Sequence, residues 1–513
     1  MEFEVIIGLE IHVQLKTKSK MFCTCDNSGE NQPANTCICP VCLGHPGTLP
    51  VANKQAIAWS ALASLALNCT INDYSKFDRK HYYYPDLPKA YQISQFDQPI
   101  GTAGWLYIFD QETSSEEKIR INRLHLEEDA AKLFHQDKKQ GSLVDYNRGG
   151  TPLMEIVTEP DIKNPAQAKL FLQELRQIMR YLDVSEADME KGHLRCDANI
   201  SLRPKGEDKL YPKTEIKNLN SFKMVEKALE YEISRQNKLW LEGNPPMILT
   251  TRGWNDAKGI TEEQRTKEEA HDYRYFPEPD LPPIHFQFGD NTNCSEQEIA
   301  IDINCIKPEL PELPADKRKR FIAEYGLSYD DVKILTEDKN RANYAEEVFS
   351  ELAEWMGHLD KATDKKNLWE ENKTGLIKLA SNWLINKLFP ILDQQNLQIT
   401  ELKMTRENFA ELIALLFAKK INSTAATEIL TDMLQSGADP SHIIKDKNLG
   451  QISDGKELET IINQVIIDNP VPVADYKKGK EKALQSLVGK VMAQTKGKAN
   501  PETTLEIFKQ KLS

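Results

Sequence analysis

The chain has 513 residues, of which 40% are hydrophobic and 28% are charged, and its formal net charge is −13. These values are typical of a globular protein with about two to four domains. The negative charge excludes a protein that is basic throughout, although an uneven distribution still allows a local contact with nucleic acid. The longest apolar stretch, residues 56–67, contains two serines and is too short to span a membrane. We therefore expect no membrane association, and no leader peptide either, because the first predicted strand begins almost at Met1.

That first element is a β-strand over residues 5–15. Apolar and polar residues alternate there with a period of two, which gives an apolar face and a face that carries Glu10 and His12. Two such residues lie about 7 Å apart at Cα and can share one ion or one substrate. The alternative is an ordinary solvated strand face.

Five of the nine cysteines follow, between residues 23 and 42. An odd total without a leader favours thiols or a metal site over a disulfide framework. The pair Cys23/Cys25 and the CPxC knuckle Cys39/Cys42 offer four soft ligands for a closed, structural zinc site that is similar to a zinc ribbon. Cys37 is a fifth candidate, and a cluster of reduced thiols is the alternative.

A helix is predicted over 53–68. Residues 76–95 then combine lysine, arginine and tyrosine with two prolines that exclude helix. Tyrosines beside cations suit a nucleotide or an RNA end, through stacking and phosphate contacts. An amphipathic loop packed on the core explains the composition equally well.

Three further segments place acids on predicted strands. In residues 119–129 the alternation puts His125 and Glu127 on one face and Glu128 on the other, and a solvated acidic turn is the alternative. Glu155 lies inside an apolar run and needs a partner or an edge position, because burying a bare carboxylate is costly. After a helix predicted over 164–182, the strand 194–203 carries Asp197 on its polar face.

Polar faces thus recur on separate strands of one antiparallel-rich sheet. Several acids, a histidine and cations such as Lys217 are the groups that bind a divalent metal together with phosphate. The sequence has neither a GxxxxGK[ST] loop nor a GxSxG elbow, so phosphate binding must depend on a metal and on separate cations.

Proline-rich breaks at 277–283 and 308–314 end the sheet domain, and the remaining chain is predicted to be helical. Periodic apolar residues indicate helices over 316–325, 328–336, 340–359, 375–388, 405–419 and 422–436. The last segment, 477–513, has nine lysines and three glutamates, a net charge of +6. It suggests a polyanionic partner, with a solvated helical face as the alternative.

Long motifs between residues 5 and 283 and between residues 475 and 501 resemble the B subunit of the aspartyl/glutamyl-tRNA amidotransferase family. They are VIIGLEIHVQL, CPVCLGHPGTLPV, SKFDRKHYYYPDLPKAYQISQFDQPI, RLHLEEDAAK, DYNRGGTPLMEIVTEPD, LRCDANISLR, EIKNLNSF, DYRYFPEPDLPP and DYKKGKEKALQSLVGKVMAQTKGKANP. The resemblance implies an α+β protein with an antiparallel-rich cradle domain over 1–293 and a zinc-ribbon-like insert at about 20–45. An all-α helical domain over 294–404 and an all-α, YqeY-like tail domain over 405–513, which would bind tRNA, would follow.

The same resemblance implies a cytoplasmic ligase that works as a heterotrimer with an amidase, the A subunit, and the small C subunit. The amidase releases ammonia from glutamine. The B subunit uses ATP to phosphorylate the side-chain carboxylate of glutamate on mischarged tRNA(Gln), or of aspartate on tRNA(Asn). Ammonia that arrives through an internal channel then displaces the phosphate.

The site residues that the resemblance implies form three sets. The ligands of magnesium, or of manganese, would be Glu10, His12, Glu128, Glu155 and Asp197. Glu10, His12, Glu128 and Lys89 would act in catalysis, and Lys89, Ser94 and Gln95 would contact ATP. The choice of Glu128 disagrees with the alternation described above, and a β-bulge or a strand end would reconcile the two.

Two other functions remain open from the residues alone. A stand-alone metal-dependent ligase for a small carboxylate explains the polar strands but leaves the basic tail without a role. A non-catalytic zinc-ribbon module that binds RNA explains the cysteines and the tail. It does not explain the five separated metal-ligand candidates.

Overall fold

The computed structural model of the chain describes residues 2–110, 114–135, 141–266, 273–288, 298–363, 368–450, 455–495 and 498–512. Asp272, Lys496 and Ser513, which belong to segments discussed above, lie outside the described residues. The chain divides into two compact units, Met1–Pro314 and Ala315–Ser513. Among the described residues, no helix is long and apolar enough to cross a membrane.

The first unit consists mainly of strands. In chain order they are β1 (Phe3–Gln14), β2 (Thr70–Ile71), β3 (Tyr74–Ser75), β4 (Asp78–His81), β5 (Tyr91–Ser94), β6 (Gly101–Asp110), β7 (Ser115–Glu128), β8 (Lys132–His135), β9 (Ser142–Asp145), β10 (Pro152–Thr158), β11 (Leu194–Pro204), β12 (Thr214–Leu219), β13 (Thr250–Asn255), β14 (Ile260–Thr266), β15 (Phe276–Pro277), β16 (Ile284–Gln287) and β17 (Ile299–Asp302). Its helices are α1 (Lys54–Ala66), α2 (Pro165–Tyr181), α3 (Phe222–Leu241) and the short α4 (Ile303–Ile306).

A nine-stranded sheet in the order β14-β13-β12-β11-β1-β10-β7-β6-β2 organises this unit. Only β12 and β13 run parallel within it, so the expected antiparallel-rich sheet is confirmed. Smaller sheets have the orders β15-β4-β5, β17-β16-β3 and β8-β9.

Strand β1 lies between β10 and β11, near the middle of the large sheet. Its side chains alternate as predicted, and Ile7, Leu9, Ile11 and Val13 are buried in one core with residues of α1, α2 and α3. This apolar face fixes the register of β1, because a slip by one residue would bring Glu10 and His12 into the core.

The helices of the first unit begin at well-formed caps. Asn53 and Asn164 cap α1 and α2, and both helices agree with the predicted ranges. Helix α3 was not predicted. Ser221 caps it by accepting a hydrogen bond from the backbone N–H of Met224.

The second unit is helical. Its helices are α5 (Pro314–Tyr325), α6 (Tyr329–Leu335), α7 (Lys339–Thr363), α8 (Leu368–Trp383), α9 (Phe389–Gln395), α10 (Arg406–Phe417), α11 (Ser423–Ser436), α12 (Pro440–Lys447), α13 (Gly455–Asp468), α14 (Pro470–Lys477), α15 (Lys482–Gln494) and α16 (Pro501–Leu512). A π-helical turn, Leu384–Leu388, joins α8 to α9. The six predicted helices correspond to α5, α6, α7, α8, α10 and α11.

The domain limits expected from the sequence differ from those of the cores. The first unit continues past residue 293, because β17 pairs with β16 and α4 belongs to the same core. Within the described part of the second unit, no division between cores falls at 404/405. One core extends from Phe321 to Ile443, and a separate core extends from Leu458 to Leu512.

Candidate active site

Side chains from four neighbouring strands form a polar row. His125 in β7 pairs with Glu155 in β10. Glu155 pairs in turn with His12 in β1, and His12 pairs with Arg195 in β11. All four stand on the face of the sheet opposite the core, because side chains alternate along each strand. Polar faces from distant parts of the sequence therefore meet.

Three side chains on this face form what we call the carboxylate–histidine group: His12, Glu127 and Glu155. One ligand atom from each lies within 4.8 Å of the others. His12 Nε2 is 3.3 Å from Glu127 Oε1 and 3.6 Å from Glu155 Oε2. A further side chain, His125, contacts the group: its Nε2 lies 3.2 Å from Glu155 Oε2.

The pKa values of the group show that it favours a positive charge at its centre. Burial alone would lower the pKa of His12, but Glu127 and Glu155 raise it to about 10. Burial would raise the pKa of Glu127, and the hydrogen bond and charge of His12 lower it overall. Burial also acts to raise the pKa of Glu155, yet His125 and His12 hold it well below its usual value.

A divalent cation fits this group. Two buried carboxylates repel each other unless a positive charge lies beside them, and oxygen ligands with one imidazole suit magnesium or manganese once His12 has given up its proton. Ser94 Oγ donates a hydrogen bond to Glu127 Oε2 at 3.3 Å, which orients that carboxylate. The ammonium of Lys80 is also close enough for the charges of Glu127 and Glu155 to raise its pKa.

Glu10 and Asp197 form a second acidic group on the same face. They are direct partners across β1 and β11. Asn199 Nδ2 donates to Glu10 Oε1 at 2.9 Å, and Lys213 Nζ lies 3.6 Å from the same oxygen. Lys217 Nζ lies 2.5 Å from Asp197 Oδ2. Glu10 lies two residues before His12 in β1, so the two groups are neighbours. Among the described residues, however, Glu10 and Asp197 do not belong to the cluster of ligand atoms formed by His12, Glu127 and Glu155.

The structure separates Glu128 from the carboxylate–histidine group. Glu128 Oε1 lies 2.7 Å from Lys89 Nζ and accepts the backbone N–H of Ile93 at 3.0 Å. The bulge that would have brought Glu128 to the His12 side is absent, because β7 and β10 stay in register from Glu128 to Arg123. Alternation along β7 thus places Glu127 beside His12, and the expectation for Glu128 as a ligand disagrees with this geometry.

The three side chains that were expected to contact ATP face different parts of the structure. Ser94 reaches the carboxylate–histidine group through Glu127, as described above. Gln95 is 2% exposed, donates to Ser75 Oγ and accepts the backbone N–H of Leu126. Its side chain therefore links β3 to β7 from inside the fold. Lys89 faces Glu128 on the other side of β7.

Three cavities adjoin these groups. The Glu10 cavity, of about 320 Å³, is lined by Gly8, Leu9, Val157, Pro160, Asn199, Lys213 and Leu249 among others. The Lys80 cavity, of about 470 Å³, is lined by Lys80, Tyr82, Leu87, Gln92, Ala130, Lys217, Thr251, Gln264 and Tyr273. The knuckle cavity, of about 120 Å³, lies between the cysteines and the Lys89–Glu128 pair.

The cysteine group consists of Cys23, Cys25, Cys39 and Cys42, whose sulfur atoms lie within 4.8 Å of one another. A hydrogen bond from Cys23 lowers the pKa of Cys42 to about 5, and burial raises the pKa of Cys25 to about 12. Four converging thiols can hold a metal ion, and they leave no open position for water.

Cys37 is outside this group. Its backbone N–H donates to Asn147 Oδ1. The four sulfur atoms that converge are thus the four that the CxC and CPxC spacing favoured.

Sequence reasoning missed three functional candidates: Glu127 as a member of the group, His125 and Lys80. The alternation along β7 contained the signal for the first two, since it placed them together on one face. Lys80 could not be distinguished from the other cations of residues 76–95.

The part of the chain that carries this sheet and site, residues 5–289, matches the family described as the GatB/GatE catalytic domain. A second family, described as the GatB domain, matches residues 368–512. A protein of Caldanaerobacter subterraneus subsp. tengcongensis, named as the B subunit of aspartyl/glutamyl-tRNA(Asn/Gln) amidotransferase, is 47% identical over 513 residues, which is 100% of both chains. Its namesake from Thermotoga maritima is 46% identical over 516 residues, which covers 100% of this chain and 99% of the relative.

The chain belongs to the family formed by the B subunit of aspartyl/glutamyl-tRNA(Asn/Gln) amidotransferase. The family name describes one component of a glutamine-dependent ligase of translation. The resemblance, the α+β fold class and the enzyme class expected from the motifs are therefore confirmed.

Proposed function

We propose that the chain carries out the ATP-dependent activation step of tRNA-dependent amidation. The γ-phosphoryl group of ATP passes to the side-chain carboxylate of glutamate on tRNA(Gln), or of aspartate on tRNA(Asn), and ADP leaves. Ammonia then attacks the acyl carbon, phosphate departs and the amide is formed. The observation that carries the proposal is the buried carboxylate–histidine group beside cavities for both substrates.

His12, Glu127 and Glu155 would hold magnesium or manganese in this site. Bound there, the ion would neutralise charge on phosphoryl oxygens. Lys80 adds a second positive charge. Burial would lower its pKa, but Glu127 and Glu155 raise it above the ordinary value. Lys80 therefore stays protonated and serves as an electrostatic partner of carboxylate or phosphoryl oxygens.

The Glu10 cavity suits the base and sugar of ATP. Its walls around Gly8 are mostly apolar, and Val157, Pro160 and Leu249 contribute to them. Gly8 leaves space for a flat ring against β1, because a Cβ at this position would only touch Pro160 and Thr158, at 3.8–3.9 Å. Lys213 lines the same cavity and can contact phosphate oxygens. We propose this location for the nucleotide in place of the contacts expected at Lys89 and Gln95.

The Lys80 cavity suits the aminoacyl end of the tRNA. Its lining combines the cations Lys80 and Lys217 with the rings of Tyr82 and Tyr273. Lysines attract phosphate and carboxylate groups, and tyrosines stack on unpaired bases. Lys80 would lie between a carboxylate bound in this cavity and the carboxylate–histidine group.

Ammonia would come from the partner amidase and pass the knuckle cavity. Strand β5 separates this cavity from the Lys80 cavity, since Tyr91 and Ile93 line the first and Gln92 lines the second. Gln92 Nε2 also donates to the carbonyl oxygen of Glu128 at 2.8 Å. The Lys89–Glu128 pair would therefore stand between the arriving ammonia and the activated carboxylate.

We also propose that the chain works in a heterotrimer with the amidase and the small C subunit. The cysteine group would hold structural zinc, because four thiolates form a closed tetrahedral site. The lysine-rich tail would bind tRNA, which is a polyanion. A cytoplasmic location stays a prediction that follows from this role in translation.

The test combines the chain with both partners of the heterotrimer, ATP, glutamine and mischarged Glu-tRNA(Gln). We expect Gln-tRNA(Gln) to form and ATP to be consumed only when the mischarged tRNA is present. Free glutamate with uncharged tRNA is the control. ATP consumption with free glutamate alone would contradict the proposal and favour the stand-alone ligase.

A further inference from the structure

We propose that the knuckle, defined as residues 39–45, positions the side chain of Lys89, and that metal on the cysteine group thereby keeps Lys89 paired with Glu128. The cysteine group would then act on the ammonia side of the site as well as stabilising its own loop. The importance of this coupling for amidation rests on the proposed function, whereas the coupling itself rests on contacts within the chain.

The knuckle begins with a tight turn between Cys39 and Cys42 and continues to His45. Three backbone hydrogen bonds close it: Leu43 N–H to Cys39 O, Gly44 N–H to Val41 O and His45 N–H to Pro40 O, at 2.9–3.1 Å. The sulfur atoms of Cys39 and Cys42 both belong to the cysteine group. A metal ion that binds both sulfur atoms fixes the two ends of the turn, so the path of residues 43–45 depends on it.

Gly44 brings this turn directly against Lys89. A Cβ on Gly44 would lie 2.6 Å from Lys89 Cγ and 3.2 Å from both Cα and N of Lys89. Gly44 also has φ +64°, which is the left-handed region that favours glycine. The knuckle backbone therefore forms one wall for the stem of Lys89, with no space for a side chain between them.

The other end of Lys89 is held by a fixed partner. Lys89 Nζ lies 2.7 Å from Glu128 Oε1, and the side chains are only 13% and 3% exposed. Glu128 is set by its place in β7 and by the backbone N–H of Ile93. The flexible member of the pair is thus Lys89, whose stem the knuckle confines. When the knuckle shifts, the pair loses that confinement.

The chain offers a matched control for the contact at Gly44. Gly47 follows in the same loop and has φ +84°, so an alanine there also meets backbone strain. A Cβ on Gly47 has no atom within 4 Å. Gly44→Ala and Gly47→Ala therefore differ mainly in the contact with Lys89.

Lys76 is the control amine, because its Nζ is paired with Asp78 and Asp97 at 2.5 and 2.6 Å.

The experiment is pulsed acetylation of lysines with acetic anhydride, read by peptide mass spectrometry, on the full-length chain. The samples are zinc-loaded wild type, wild type depleted of zinc with a chelator, Gly44→Ala and Gly47→Ala, each with its zinc content measured. We expect acetylation of Lys89 to rise about tenfold on zinc depletion and in Gly44→Ala, because an opened buried pair exposes its amine. Gly47→Ala should resemble zinc-loaded wild type, and Lys76 should react equally in all samples.

Equal acetylation of Lys89 in zinc-loaded and zinc-depleted wild type would overturn the proposal. A similar rise in Gly47→Ala with zinc retained would also overturn it, because strain in the loop would then explain the effect. If Gly44→Ala loses zinc, the comparison of the two wild-type samples still decides. The assay needs neither ATP nor tRNA, so its failure is distinguishable from a failure of the proposed amidation.

Discussion

Glu127 and Glu128 are consecutive in β7, yet their carboxylates belong to two different groups. Glu127 Oε1 lies 3.3 Å from His12 Nε2, and Glu128 Oε1 lies 2.7 Å from Lys89 Nζ. The alternation of a regular strand is enough to explain this. One residue thus faces the candidate metal group, and the next faces the knuckle cavity.

The first prediction follows from this division. Glu127→Gln should weaken binding of Mn²⁺ to the chain at least about tenfold, because a neutral amide replaces a carboxylate ligand. Glu128→Gln should leave that affinity within about twofold, since its carboxylate does not face His12. Electron paramagnetic resonance titration of free Mn²⁺ measures both variants. A loss of Mn²⁺ affinity in Glu128→Gln alone would show that the geometric assignment is wrong.

The second prediction concerns the Glu10 cavity. Gly8→Val should raise KM for ATP about tenfold, because the valine methyl groups would fill the space proposed for the base. KM for mischarged tRNA should change little. Gly8→Ala is the control, since its Cβ makes only ordinary contacts and should have a smaller effect. Equal increases in both KM values would place the effect of Gly8→Val outside the nucleotide site.

The third prediction separates the cysteines. Cys39→Ser should abolish zinc binding and lower the midpoint of thermal unfolding of the first unit by about 5 °C or more. Cys37→Ser should retain zinc, because Cys37 does not belong to the cysteine group. Elemental analysis and thermal denaturation test both variants. Retention of zinc in Cys39→Ser together with its loss in Cys37→Ser would reverse our ligand assignment.

The fourth prediction uses the limits of the helical cores. A chain that ends at Gly450 should keep the core from Phe321 to Ile443 and bind tRNA at least about tenfold more weakly. Glutamine hydrolysis by the partner amidase should be spared. A chain that ends at Met404 should aggregate, because Phe409 and Leu412 are then missing from that core. Unchanged tRNA affinity after truncation at Gly450 would remove the proposed role of the tail.

The sequence allowed local structure to be predicted where a pattern repeats. The period of two in residues 5–15 predicted β1 and its buried face, and the same rule in β7 separated Glu127 from Glu128. The motif resemblance then favoured Glu128 as the ligand. A match to a motif with two adjacent glutamates does not by itself decide which of the two binds the metal. The alternation of side chains along β7 agrees with the structure at this position.

Other features depend on contacts that no local pattern contains. Glu10 faces Asp197 only because β1 and β11 pair across a long sequence separation. The core from Phe321 to Ile443 crosses the expected limit at 404/405, since apolar spacing identifies helices but not the helices they pack against. Helix α3 was missed although Ser221 and the apolar Val225 and Leu229 carried its signal.

The central claim is that the group of His12, Glu127 and Glu155 serves phosphoryl transfer from ATP to the aminoacyl carboxylate. The most direct test measures ADP release that depends on mischarged Glu-tRNA(Gln), in the assembled complex and without any source of ammonia. We predict that Glu127→Gln lowers this rate about 100-fold while tRNA binding is retained, because an electrostatic element of the transfer is lost. A rate in Glu127→Gln equal to that of the wild type would contradict the account.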